Sequence, residues 1–126
     1  MRRLRIVIAD DSKFMRTLIK RIIESEGHIV VGEAGNGIEL LKLINMLDEK
    51  PDIVFLDINM PELDGIKTLE ILREKYKDLN IVIVSALGRR DIIELASSAG
   101  VMFFITKPFT PDKIRDIIKK CMRRSK

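Results

Sequence analysis

Residues 51–65 read PDIVFLDINMPELDG. Ile53, Val54, Phe55 and Leu56 form an unbroken apolar run. A strand that is apolar at every position, and not at every second one, is covered on both faces, as in the parallel sheets of α/β proteins. The run then meets an acid, Asp57, with no polar lead-in, followed by Asn59–Met60–Pro61 and Asp64–Gly65. A buried strand that ends on a carboxylate calls for a chemical reason.

Outward from this stretch, short apolar runs alternate with segments of helical period. RIVIA (5–9) reads as a buried strand. A helix is expected from Ser12, with Phe14, Met15, Leu18, Ile19, Ile22 and Ile23 on one face and Gly27 after its end. HIVVGEA (28–34) reads as a weaker second strand, 36–47 as a helix carrying Ile38, Leu41 and Leu47, and 52–56 as the third strand. Helix 64–75, strand IVIVS (81–85), helix 90–99 closed by Gly100, and strand VMFFIT (101–106) follow. Pro111 suits the first position of a last helix, whose core face is Ile114, Ile117, Ile118 and Cys121. Five βα units with no leftover segment make a doubly wound α/β fold, a five-stranded parallel sheet with helices on both faces. The units share no motif, and no linker separates a second domain, so residues 1–126 are expected to form one domain.

The chain has 126 residues, enough for a hydrophobic core without staples. A single cysteine, Cys121, cannot form an internal disulfide. No run approaches the roughly 18 apolar residues of a membrane span, and the run after Met1–Arg2–Arg3 is too short for a signal peptide. A cytoplasmic location without membrane contact is expected. The net charge of +4 comes from basic residues interleaved with acids, and the one basic cluster, 119–126, suits the dipole at a helix C-terminus. No nucleic-acid partner is expected.

Ligands of open α/β sheets bind beyond the carboxyl ends of the strands, where strand order reverses. Asp10–Asp11 follow the first strand, Asp57 the third, Ser85–Ala86 end the fourth and Lys107–Pro108 follow the fifth. If the order is 2-1-3-4-5, three carboxylates converge, with a hydroxyl and an ammonium beside them. Two carboxylates about 4 Å apart repel by roughly 4 kcal/mol at an effective dielectric of 20. Three together call for a hard, oxygen-ligated cation such as Mg²⁺. Asp57 is then placed to form an acyl phosphate, with Mg²⁺, Lys107 and Ser85 neutralising the phosphoryl oxygens and the small Ala86 leaving room. Each residue alone has an ordinary reading: Asp10 or Asp11 as a helix cap, Asp57 as a turn residue, Lys107 as a solvated loop lysine. Four strand ends carrying the types that one reaction needs is a different matter.

These residues resemble the receiver domain of two-component response regulators over essentially the whole chain. IADDS (8–12), DINMPELDG (57–65), SA (85–86) and KPF (107–109) carry the resemblance. It implies the strand order 2-1-3-4-5 and an aspartyl phosphate at Asp57, received from a histidine kinase. It further implies Mg²⁺ held by Asp10, Asp11, Asp57 and the backbone carbonyl of Asn59, with Ser85 and Lys107 on the phosphoryl group. Such a domain signals and does not turn over an external substrate, though it removes its own phosphate. DDSKFMR (10–16), SALG (85–88) and KPFTP (107–111) are in the style of the chemotaxis branch, which implies a downstream protein such as the flagellar switch. Its docking face would be helix 90–99, the fifth strand and the last helix. DDS..MR is shared with the receiver half of the chemotaxis methylesterase, so that motif does not separate the two. Phe104, three residues before Lys107, stands where the best-known chemotaxis members carry Tyr. It is either a switch that turns when Ser85 is drawn to the phosphoryl group or a plain core residue.

Two other protein classes share part of this pattern. A haloacid-dehalogenase-type phosphatase also uses an Asp nucleophile and Mg²⁺, but wants Asp-x-Asp after its first strand, whereas Asp10–Asp11 are adjacent and Asn59 stands two after Asp57. A flavodoxin-like FMN binder wants a hydroxyl-rich phosphate loop where DDSKF stands. His28, the only histidine, opens a strand in place of lying on a helix face and is expected to be an ordinary surface residue, not a phosphodonor.

Overall fold

Strands that are apolar at every position need cover on both faces, and the computed structural model supplies it. It describes residues 3–58, 65–86, 94, 97–98, 100–101 and 103–124. In chain order these form β1 (Arg5–Ala9), α1 (Lys13–Ser25), β2 (Ile29–Ala34), α2 (Gly37–Met46), β3 (Ile53–Asp57), α3 (Gly65–Lys75), β4 (Asn80–Ala86), β5 (Phe103–Lys107) and α4 (Pro111–Arg124). The five strands are parallel in the order β2-β1-β3-β4-β5. The doubly wound topology and its strand order are thus as expected. The helix expected over 90–99 lies outside the described residues, apart from Glu94, Ser97 and Ser98, which are helical.

The period of two along each strand divides the core in two. Val7, Ala9, Val54 and Leu56 face α2 and α3, meeting Leu40, Ile44, Leu69 and Leu72. Ile6, Ile8, Ile53 and Phe55 face α1 and α4, meeting Ile19, Ile22, Ile23 and the expected stripe of Ile114, Ile117, Ile118 and Cys121. β2 is an edge strand, with only Ala34 buried, which explains its weaker apolar signal.

The expectation for α1 needs correction. Phe14 is 76% and Leu18 36% exposed. The buried stripe is Ile19, Ile22 and Ile23, with Met15 packed against it. Phe14 and Leu18 lie, at i and i+4, on an adjacent stripe that continues through the exposed Arg21 and Ser25 at i+7 and i+11. Gly27 closes this helix at φ 85°, a conformation that favours glycine. Among the described residues, no helix is long and apolar enough to cross a membrane.

Candidate phosphorylation and metal site

Parallel pairing brings the carboxyl ends of β1, β3, β4 and β5 to one edge of the sheet. Asp57 is the last residue of β3, not the first residue beyond it, and pairs with Val84. The next amide, Ile58 N–H, donates to the Val84 carbonyl at 3.1 Å, so Asp57 is backbone-fixed on both sides. Asp10 follows β1 and Ser85 lies one residue before the end of β4. Lys107 ends β5, where the sequence put it just beyond the strand. Asp10, Asp57 and Ser85 are buried, while Asp11 is exposed.

Lys107 Nζ donates to Asp10 Oδ2 at 3.1 Å and to Asp57 Oδ2 at 3.4 Å. This replaces the reading of Lys107 as a solvated loop lysine. Burial pulls the Lys107 pKa down, but the Asp57 and Asp10 carboxylates outweigh it and hold the pKa above the ordinary lysine value. One carboxylate oxygen from each of Asp10, Asp11 and Asp57 lies within 4.8 Å of the others. Ligand oxygens of an octahedral Mg²⁺ stand about 3 Å apart when adjacent and about 4.2 Å apart when opposite, so the three acids are grouped closely enough to draw in around one such ion. Three carboxylates and one ammonium leave a formal charge of −2, which one divalent cation cancels.

The acid pair is held by its own turn. Asp10 Oδ1 accepts from Ser12 N–H at 2.9 Å, and Asp10 N–H donates to the Ala34 carbonyl at 3.0 Å. The cap of α1 is Ser12, whose Oγ accepts from Met15 N–H. The reading of Asp10 or Asp11 as that cap is thereby replaced, and both acids are left for the cluster.

Two contributors were not found from the sequence. Gly65 N–H donates to the Ile58 carbonyl at 3.2 Å, and a Cβ at Gly65 would stand 2.4 Å from Ile58 Cα. Only glycine lets α3 start against the backbone that follows Asp57. The Asp64–Gly65 pair after the acidic strand end was the available signal. Arg16 is the second, six residues after Asp10 in DDSKFMR, and its Nη1 donates to the Asp10 carbonyl at 2.6 Å. Asn59 lies outside the described residues.

Phe104 is half-buried and packs on the α2/α3 side of the core. It pairs with Ile83, and Ser85 pairs with Thr106, so Phe104 and Ser85 share one face of the sheet. His28 is not a surface residue. It is 6% exposed, and its Nδ1 accepts from Leu4 N–H at 3.0 Å, far from the acid cluster at the other end of the strands.

A doubly wound sheet with acids and a lysine at its switch point defines a class of protein, and comparison with known proteins agrees. The response regulator receiver domain model matches residues 6–119, and the chain belongs to that family. Among similar proteins is the chemotaxis protein CheY of Listeria monocytogenes, 38% identical over 120 residues, covering 95% of this chain and 99% of that protein. Sporulation initiation phosphotransferase F of Bacillus subtilis is 33% identical over 116 residues, covering 92% and 91%. Among solved structures, the CheX–CheY–BeF3–Mg²⁺ complex from Borrelia burgdorferi aligns with a TM-score of 0.89 at 30% identity, over 94% of this chain and 89% of that one.

Proposed function

We propose that this chain is a phosphorylation-controlled signalling module that takes a phosphoryl group from a histidine kinase onto Asp57. The observation that carries the reading is the bridging of Asp10 and Asp57 by the Lys107 ammonium inside a three-carboxylate cluster. An Asp57 oxygen bonds to phosphorus as the P–N bond of the donor phosphohistidine breaks, and the bond electrons leave with the imidazole. Asp10, Asp11 and Asp57 would hold Mg²⁺, with the Asn59 carbonyl as the further ligand implied by the family. When bound, it neutralises phosphoryl and carboxylate charge. Lys107 moves its hydrogen bonds toward a phosphoryl oxygen, and the Ser85 hydroxyl donates to another. The domain hydrolyses its own acyl phosphate and works in the cytoplasm.

The output is a change in partner affinity. Phe104 shares the face of Ser85, so a Ser85 drawn to the phosphoryl group vacates space into which the ring turns. The docking face is then the segment 90–99 with β5 and α4. Nearly full-length similarity to proteins named CheY supports a chemotaxis role, with a flagellar switch protein as the target. The similarity to a sporulation phosphotransferase supports the second reading, in which the phosphoryl group is passed on to another protein.

With Mg²⁺ and a small acyl phosphate, intact-mass measurement is expected to show one added phosphate, absent in Asp57→Ala. Equal labelling of Asp57→Ala would remove Asp57 from this role.

A further inference from the structure

Asp10 is held from four directions, and one holder is unaccounted for by phosphoryl chemistry. Its amide goes to Ala34 on β2, Oδ1 is bonded by Ser12 N–H, and Oδ2 by Lys107. Its carbonyl takes the short 2.6 Å bond from Arg16 Nη1, while Arg16 Nε donates to Glu33 Oε1 on β2 at 3.2 Å. The Arg16 side chain is only 18% exposed. One guanidinium thus spans α1, the loop that carries the acid pair and the edge strand, a geometry its planar fork fixes and a lysine cannot reproduce. Lys20, one turn along α1, reaches the same Glu33 at 3.7 Å and makes the surrounding charge similar without touching Asp10.

We propose that Arg16, anchored by Glu33, is a positioning residue that sets the Asp10–Asp11 backbone so that both carboxylates reach one cation. The proposal rests on the metal-binding reading above. Groups that orient metal ligands commonly contribute ten- to hundredfold in metal affinity when removed. Here the sign separates positioning from charge. Arg16 is a cation near a cluster that binds a cation, so on charge alone its loss tightens Mg²⁺ binding. On positioning, its loss weakens binding.

The test is calorimetric titration of the metal-free chain with MgCl2, beside hydrogen exchange of the Ser12 amide without metal. Arg16→Ala is expected to bind Mg²⁺ at least tenfold more weakly and to lose Ser12 amide protection, because the Asp10 turn loosens. Lys20→Ala, which removes the same charge from the same Glu33, is expected to bind within about twofold of the unaltered chain. Mg²⁺ binding by Arg16→Ala as tight as before, or tighter, overturns the proposal. If Arg16→Ala does not fold, Arg16→Lys takes its place. It keeps the charge, so weaker binding supports positioning, and unchanged or tighter binding overturns it. Failure of the unaltered chain itself to bind Mg²⁺, or Asp11→Asn binding as well as the unaltered chain, would instead sink the metal-site reading.

Discussion

At the amino end of the sheet, His28 Nδ1 accepts from Leu4 N–H and Asp52 Oδ2 accepts from Arg5 N–H. At the carboxyl end, Asp10, Asp11 and Asp57 crowd together, with the Lys107 ammonium bonded to Asp10 and Asp57. Both ends bury polar groups, but the amino end supplies a backbone donor for each acceptor. Lys50 likewise closes the C-terminus of α2, donating to the Ile44 and Leu47 carbonyls at 2.8 Å. Such hydrogen bonds to backbone hold a fold together. The carboxyl end carries formal charge beyond what its lysine cancels, which costs stability and creates a demand for a cation. Polar burial is therefore a sign of chemistry only where the charges do not close.

The largest expected effect tests how tightly the carboxyl end is built. At an open helical site, Gly→Ala would add roughly 1 kcal/mol of stability. At Gly65 the added carbon meets the Ile58 backbone at 2.4–2.8 Å, and backbone has no flexible end to move aside. Gly65→Ala is expected to lose about 3 kcal/mol in chemical denaturation, the upper part of the range for overpacking. It should also weaken Mg²⁺ binding, because Ile58 follows Asp57 directly. A neutral or stabilising substitution would show that the backbone after Asp57 is not held in this way.

Lys107→Ala comes next. Breaking a fully buried ion pair costs about 3–5 kcal/mol. Lys107 keeps 26% of its side-chain surface exposed, so solvent screening brings the expected loss to about 2 kcal/mol in metal-free protein. Added Mg²⁺ should then raise the melting temperature of Lys107→Ala by more than it raises that of the unaltered chain, since the site has lost its internal cation. Equal metal-induced shifts in the two proteins would mean that Lys107 and the metal do not compensate the same charge.

The carboxyl end was more legible in the sequence than the amino end, for a physical reason. Phosphoryl chemistry demands particular residue types at particular strand ends, and apolar runs mark where the strands end. Asp10, Asp57, Ser85 and Lys107 could be placed by counting along the chain. What was missed depends on contacts that spacing does not encode. Gly65 is needed because one backbone passes another. Phe14 has the spacing of a core residue, yet the buried stripe of α1 runs through Met15, Ile19, Ile22 and Ile23 and passes it by. Arg16 acts across to Asp10 and Glu33, and its role exists only once β2 lies beside β1. His28 is buried through Leu4, twenty-four residues away.

The smallest effect belongs to His28. Its pKa is lowered, first by burial and then by Arg3, against the opposing pull of Glu26 and Asp52. The geometry agrees, because a protonated Nδ1 cannot accept the Leu4 N–H. The sign follows from linkage: when the folded-state pKa lies below the unfolded value of 6.5, the unfolded chain binds more protons, and stability rises with pH. The contribution of His28 is complete above about pH 6.5 and is lost as the pH falls through the folded-state value. A backbone hydrogen bond of this kind contributes about 1 kcal/mol. The informative quantity is the difference between two proteins. His28→Gln carries no titrating ring, and its denaturation midpoint should fall less steeply than that of the unaltered chain between pH 7.5 and 5. The difference should persist with saturating Mg²⁺, since the amino end has no part in binding it. Parallel pH profiles would mean that protonation of His28 leaves its bond to Leu4 intact, and the amino end would then be indifferent to charge.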